Sequence, residues 1–340
     1  VPHLSTPFKC KDLHLKNRIV MPPMCQYSVE KKDGMPGDWH YVHYVSRAVG
    51  GAGLIIIEMT NVEPDGRITN HCLGLWSDGH IPAFQRIIDG CHKHGAKMAI
   101  QIAHAGRKAQ DAPTPVAPSP VRFNEKFKIP RPLTTDEVKG MVEKFRKAAE
   151  RAVKAGVDAI ELHGAHGYLI HQFHSPLTNQ RDDEYGKDLT RFGVEVIQAV
   201  KSVLPSGMPL IMRISAVEYV ENGYSLDYSV QLCKTYRDAG VDIFHVSSGG
   251  EGPIGSSGKP GAHPGYQLVF ARTIKEQAGV PVIAVGRLDD PDLAESVIGN
   301  GDADLVAVGR GMLADPYWAI HALQKLGDKS HVPRQYERAF

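Results

Sequence analysis

The chain has 340 residues, 42% hydrophobic and 23% charged, with 39 Lys and Arg against 38 Asp and Glu. That near-balance excludes a dedicated nucleic-acid surface, and apolar runs no longer than "GLIIIEM" exclude a membrane-spanning helix. Five scattered cysteines with no C-x-x-C pair exclude a disulfide framework and a thiolate zinc site; with no secretory pattern in "VPHLSTPFKC", a cytoplasmic enzyme is expected.

In chain order, eight short runs rich in Val and Ile follow one another: "RIVMPPM" (18–24), "GLIIIEMT" (53–60), "KMAIQIAHAG" (97–106), "AIELHGAHG" (159–167), "PLIMRISA" (209–216), "DIFHVSSGG" (242–250), "PVIAVGR" (281–287) and "ADLVAVGR" (303–310). Continuous apolar character, rather than alternation, marks strands covered on both faces. Helical stretches separate them. Between Thr134 and Gly156 a capping box (Thr134, Glu137) opens a run with Val138, Met141, Val142, Phe145, Ala148 and Ala149 at helical spacing, and the glycine closes it. "DPDLAESVIGNG" and "DPYWAIHALQKLG" each put Asp at the N-cap and Pro at the first helical position. Eight strands alternating with helices predict an α/β fold: a single (β/α)8 TIM barrel over residues 1–340, with an N-terminal lead-in and long βα loops. The loops fall at 61–79, 107–133, 168–186 and 249–266. The last is rich in Gly, Pro and Ser and reads as a mobile cover. Its "GEGPIG" is no dinucleotide fingerprint, because no helix follows it.

The working residues of such barrels lie at the C-terminal strand ends. Here these are Pro23, Met24 and Cys25; Met59 and Thr60; Gln101 and His104; His163 and His166; Arg213; Ser248 and Gly249; Gly286 and Arg287; Gly309 and Arg310. The last two strands both end in Val-Gly-Arg. A glycine admits backbone N–H to an anion and an arginine adds a bidentate donor, at the usual phosphate position of the fold. The ring holds an amide, a guanidinium, a thiol and imidazoles, and no carboxylate beyond Glu58. It therefore suits a planar, electron-accepting cofactor with a phosphate, such as FMN, better than magnesium. In "HGAHGYLIHQFH", His163 and His166 sit at the strand mouth, while His171 and His174 read as structural. The rival reading is a metal-dependent barrel hydrolase with His163 and His166 as ligands, joined by His104 or His171. Too few carboxylates and an unsuitable H-x-x-H spacing weigh against it, and no metal site is expected.

The stretches "LKNRIVMPPMCQYS", "GLIIIEMTNVEPDGRIT", "IQIAHAGRKA", "ELHGAHGYLIHQFHSPLTNQRDDEYG", "VGRGMLADPYW" and "QYERAF" resemble the Old Yellow Enzyme family, above all its bacterial, thermophilic-like ene-reductases. The resemblance implies tightly but non-covalently bound FMN, NADPH or NADH as hydride donor, and reduction of activated alkenes such as α,β-unsaturated carbonyls at Cβ. It implies that Pro23, Met24, Cys25 and Met59 line the flavin ring, that Gln101 meets the pyrimidine edge, and that Arg213 lies beside N1 and O2. Ser248, Gly249, Gly286, Arg287, Gly309 and Arg310 would hold the ribityl and phosphate groups. His163 and His166 would donate to the substrate carbonyl, Tyr168 would protonate Cα, and Tyr27 would touch the carbonyl. Arg338 would reach a neighbouring subunit's site in a homodimer or higher homo-oligomer. Met59 stands where the family usually has a small residue, Arg287 where an apolar residue is commoner, and the segment after "DEYG" is short.

Overall fold

The computed structural model describes residues 1–252 and 263–340. Residues 253–262 of the 249–266 loop, with most of the expected mobile cover and the second half of the "GEGPIG" run, lie outside the described residues. Each of the eight apolar runs forms a strand: β1 Ile19–Met21, β2 Leu54–Asn61, β3 Lys97–Ala103, β4 Ala159–Gly164, β5 Leu210–Ser215, β6 Ile243–Ser247, β7 Val282–Ala284 and β8 Leu305–Ala307. Every neighbouring pair in that order is parallel, and β8 pairs back onto β1 with Val306 opposite Ile19, so the sheet closes into a barrel. Most strands are shorter than the runs suggested. β1 stops at Met21 because Pro22 and Pro23 have no N–H for the ladder.

Helices α1 Asp38–Val49, α2 Ile81–Lys93, α3 Thr135–Ala155, α4 Arg191–Lys201, α5 Leu226–Ala239, α6 Leu268–Ala278, α7 Pro291–Gly299 and α8 Trp318–Lys325 follow the strands in turn. The capping box of α3 forms as expected: Thr134 Oγ1 accepts the Glu137 N–H (3.2 Å) and Glu137 Oε1 accepts the Thr134 N–H (3.0 Å). Asp290 likewise caps α7 through the amides of Asp292 and Leu293. The expected start of α8 at Asp315 and Pro316 is corrected. The helix begins at Trp318, because residues 315–317 form a turn in which Asp315 Oδ1 accepts the Tyr317 N–H (2.9 Å) and Pro316 packs against Gly50.

Pleating explains why the strand runs are apolar throughout. One set of alternate residues, including Val20, Leu54, Ile56, Ala99, Ala159, Ile211, Ile243, Ile283 and Leu305, fills the barrel interior. The other set, including Ile19, Ile55, Met98, Ile160, Met212 and Phe244, packs outward into the helix layer. The lead-in is an antiparallel hairpin, Phe8–Cys10 with Leu13–Leu15, whose Phe8, Leu13 and Leu15 join the inner set and plug the bottom of the barrel. β2 shifts register between Ile57 and Thr60. At this irregularity the buried Glu58 accepts from Gln26 N–H (2.9 Å) and Tyr44 O–H (2.7 Å), tethering the segment after β1, and burial pushes its carboxyl up to about 7. No helix among the described residues is long and apolar enough to cross a membrane.

Candidate active site

Above the apolar interior, the same inward-facing positions turn polar. β3 supplies Gln101, β4 Glu161 and His163, β5 Arg213, and β6 His245 and Ser247, with Gln101 opposite Glu161 and Arg213 opposite both His163 and His245. Glu161, fully buried, accepts from Gln101 Nε2 (2.9 Å) and His245 Nδ1 (2.7 Å). This corrects the expectation of a ring without a carboxylate beyond Glu58. Glu161 shares a strand face with His163 two residues later, so counting the strand period from His163 would have found it. Its hold on Gln101 Nε2 fixes that amide with Oε1 left as the acceptor. Arg213 is buried, and its Nε has no partner. Burial draws its pKa below the ordinary guanidinium value, with Glu161 the foremost opposing influence.

His163 and His166 come together at the mouth, with ring centroids 5.3 Å apart and planes at 88°. Tyr168 lies edge-on to His163 at 4.9 Å. His166 takes a left-handed backbone (φ +60°), held by Ser215 Oγ on its N–H (3.0 Å) and Lys108 Nζ on its carbonyl (2.8 Å). Burial first, and Arg213 next, hold both imidazoles well below the usual histidine range, so both are neutral. Burial pushes the Tyr168 phenol upward, so it keeps its proton. Lys108, absent from the sequence-based selection, sits with Nζ 4.8 Å from the Tyr168 ring centroid, and burial lowers it to about 8.

On the other side of the mouth, Cys25 and Tyr168 flank an apolar patch containing Met59, Ile68 and Cys72. The neighbouring Cys72, together with burial, raises the Cys25 thiol, while the neighbouring Cys25 lowers that of Cys72. Met24 approaches Gly309, whose missing side chain leaves only 3.4 Å between a hypothetical Cβ and the Met24 sulfur. Tyr27 is half-exposed in a left-handed conformation. Ser248 is engaged by Tyr219 O–H (3.1 Å) and donates to Gln267, which in turn braces the Val285 carbonyl below Gly286. Arg287, Gly309 and Arg310 line a cleft of about 270 Å³, shared with Asp289.

Other selected residues lie apart. His104 is tied to Glu63 (2.8 Å). Arg338 is exposed in the turn Arg334–Ala339 and bonds to none of the mouth residues. His171 and His174 are fully buried in the short helix Leu169–His174, the latter on Tyr236 O–H (2.8 Å). The group of three potential metal ligands found among the described residues is His171, Glu218 and Glu251, which includes neither His163 nor His166. Its atoms already satisfy one another. His171 Nδ1 accepts the Gly167 N–H (2.8 Å), which leaves its proton on Nε2 facing Glu218 (3.1 Å), while Arg107 and Thr178 hold Glu251.

These residues fit FMN. The buried, partly unpartnered Arg213 suits a ring that gains negative charge, and the Gln101 Oε1 acceptor matches a ring N–H. The two arginines beside Gly309 suit a phosphate. The chain matches the NADH:flavin oxidoreductase / NADH oxidase family over residues 3–329. It is 46% identical, over 99% of both chains, to an NADPH dehydrogenase of Listeria monocytogenes serotype 4a (strain HCC23). Among solved structures it resembles morphinone reductase, with a TM-score of 0.81 and 28% identity over 97% of this chain and 93% of that one. It also resembles the old yellow enzyme homologue from Zymomonas mobilis, with a TM-score of 0.83 and 25% identity over 95% and 93% of the two chains.

Proposed function

The chain belongs to the NADH:flavin oxidoreductase / NADH oxidase family, and from that premise we propose that it is an ene-reductase, acting on α,β-unsaturated carbonyls and similarly activated alkenes. Its cofactor is FMN and its electron donor NADPH or NADH. The chemistry FMN supplies when bound is two-electron transfer from the nicotinamide to the alkene β-carbon. The observation that carries the reading is the pair of neutral imidazoles, side by side at one strand mouth, next to the buried Arg213.

His163 and His166 donate to the substrate carbonyl oxygen, where negative charge gathers as the alkene is reduced. A single preorganised donor of this kind is worth about 2.7–4 kcal/mol in related chemistry. Neutral rings suit the task, since they donate hydrogen bonds without surrendering a proton. Tyr168, kept protonated by burial, holds the proton destined for Cα. Arg213 would balance negative charge on the cofactor, and Glu161 holds Gln101 with Oε1 free to meet its edge. Pro23, Met24, Cys25 and Met59 would line the ring; Ser248, Gly249, Gly286, Arg287, Gly309 and Arg310 would hold the ribityl and phosphate groups. Tyr27 completes the substrate pocket. Arg338, exposed at the surface of this chain, serves a neighbouring subunit in a homodimer or larger homo-oligomer, and the protein works in the cytoplasm.

The test is stopped-flow kinetics of the FMN-loaded protein, first with anaerobic NADPH and then with cyclohexenone. Joint replacement His163→Ala and His166→Ala is expected to slow the enone step on the order of 10²–10³-fold or more, leaving the NADPH step largely intact. An unaltered enone step in the double variant refutes the substrate role of the pair. A protein that takes up no FMN overturns the whole reading.

A further inference from the structure

The two imidazoles of the mouth are held by different ring atoms. His163 receives the Ala165 N–H on Nδ1 (3.3 Å), so its neutral ring carries the proton on Nε2. His166 instead meets the Ser247 hydroxyl with Nε2 (2.6 Å), and its Nδ1 has no hydrogen-bond partner among the described residues. Ser247 is buried at the end of β6, and its hydroxyl has no other partner among those residues. The hydroxyl therefore donates to His166 Nε2, which places the ring proton on Nδ1. In the opposite tautomer Nε2–H would donate to the serine oxygen and leave the buried O–H without an acceptor. Ring rotation offers little escape. The His166 backbone is pinned by Ser215 and Lys108, and Gly250 packs so closely that a Cβ there would sit 2.2 Å from the His166 Cα. An imidazolium is opposed by burial first, and then by Arg213, His163 and Lys108.

We propose that Ser247 is a positioning residue that locks His166 in its Nδ1–H form, so that His163 Nε2–H and His166 Nδ1–H face one substrate oxygen as a matched pair of donors. The inference rests on the substrate role given to the pair above.

The experiment uses FMN-loaded protein labelled with ¹⁵N-histidine, whose long-range ¹H–¹⁵N couplings distinguish the two tautomers. His163→Gln and His166→Gln assign the signals. Wild type is expected to show one Nε2–H and one Nδ1–H ring at these positions. Ser247→Ala should move His166 toward Nε2–H and lower kcat/KM for cyclohexenone about tenfold, the loss falling on kcat of the enone step. Ser247→Thr, which keeps the hydroxyl, should restore both readouts. A wild-type His166 in the Nε2–H form, or a Ser247→Ala variant that keeps the wild-type tautomer and enone kinetics, overturns the proposal. If His166→Ala also leaves the enone step untouched, the donor role of the pair fails with it. A slow His166→Ala beside a silent Ser247→Ala sinks the role of Ser247 alone.

Discussion

The lower and upper halves of the barrel interior are built from the same strands and the same alternating positions, yet they obey opposite rules. Below, Ile211 and Ile243 join Phe8 and Leu15 of the hairpin in one apolar cluster. Two residues further along the same strands stand Arg213 and His245, joined by Gln101 and Glu161. The lower half gains stability by removing apolar surface from water, in proportion to area and without regard to direction. The upper half is directional. Each buried polar atom needs a partner, and Arg213 Nε, left without one among the described residues, suits the acceptor of a ligand. Stability and chemistry are thus separated along the barrel axis by one pleat of each strand.

The sharpest way to break the comparison is to damage one half and ask whether the other notices. Ile243→Ala, in the lower half, should cost about 2–5 kcal/mol of stability in urea unfolding while leaving kcat/KM per folded molecule unchanged. An activity loss matching the stability loss would show that the halves are coupled. Arg213→Gln, in the upper half, should leave urea unfolding of the FMN-free protein nearly unaltered but weaken FMN binding about 10–100-fold, the worth of one charged hydrogen bond of about 1.5–3 kcal/mol. Equilibrium dialysis against FMN reads this directly, and undiminished affinity would remove Arg213 from the cofactor's surroundings.

Acid tests the polar interior more gently. His163 and His174, with His40 and His43 on the inner face of α1, are buried, and burial holds all four below the ordinary histidine pKa, His40 to about 4 and His43 to about 3. The unfolded chain takes up protons at these positions as pH falls through about 6.5, and the folded protein does not. Stability is therefore full above that pH and declines below it, by up to about 1.4 kcal/mol per pH unit for each group. Glu58, raised to about 7, works the other way, because the folded state keeps a proton that the unfolded chain releases. Urea unfolding at pH 7.5, 6.5 and 5.5 should show a net decline. A flat profile would mean that these rings are charged inside the protein.

Much of the architecture is legible in the sequence. All eight strands, the α3 capping box and the Asp290 cap follow from contacts a few residues apart, which sequence patterns encode directly. The mouth residues were legible too, because in a parallel barrel every strand's C-terminal end faces the same side. Where the reading fell short, the cause was spatial. Asp315 and Pro316 carry a helix-start signal that packing on Gly50 overrides. Lys108 reaches Tyr168 and the His166 carbonyl from a different strand's loop, and nothing in its neighbours announces it.

The residue types and their order by themselves determined the closed parallel barrel, the end of it that carries chemistry, and the histidines gathered there, since each depends on local periodicity and chain direction. Only the tertiary structure decided which atom of each imidazole is free, that Glu161 and His245 lie beneath the site, and that His171 is sealed among carboxylates. His163 takes its partner from Ala165, two residues on, but the others depend on partners 40 to 90 residues away, such as Ser247 for His166 and His245 for Glu161. A hydrogen bond is set by position in space, and sequence distance does not reveal it.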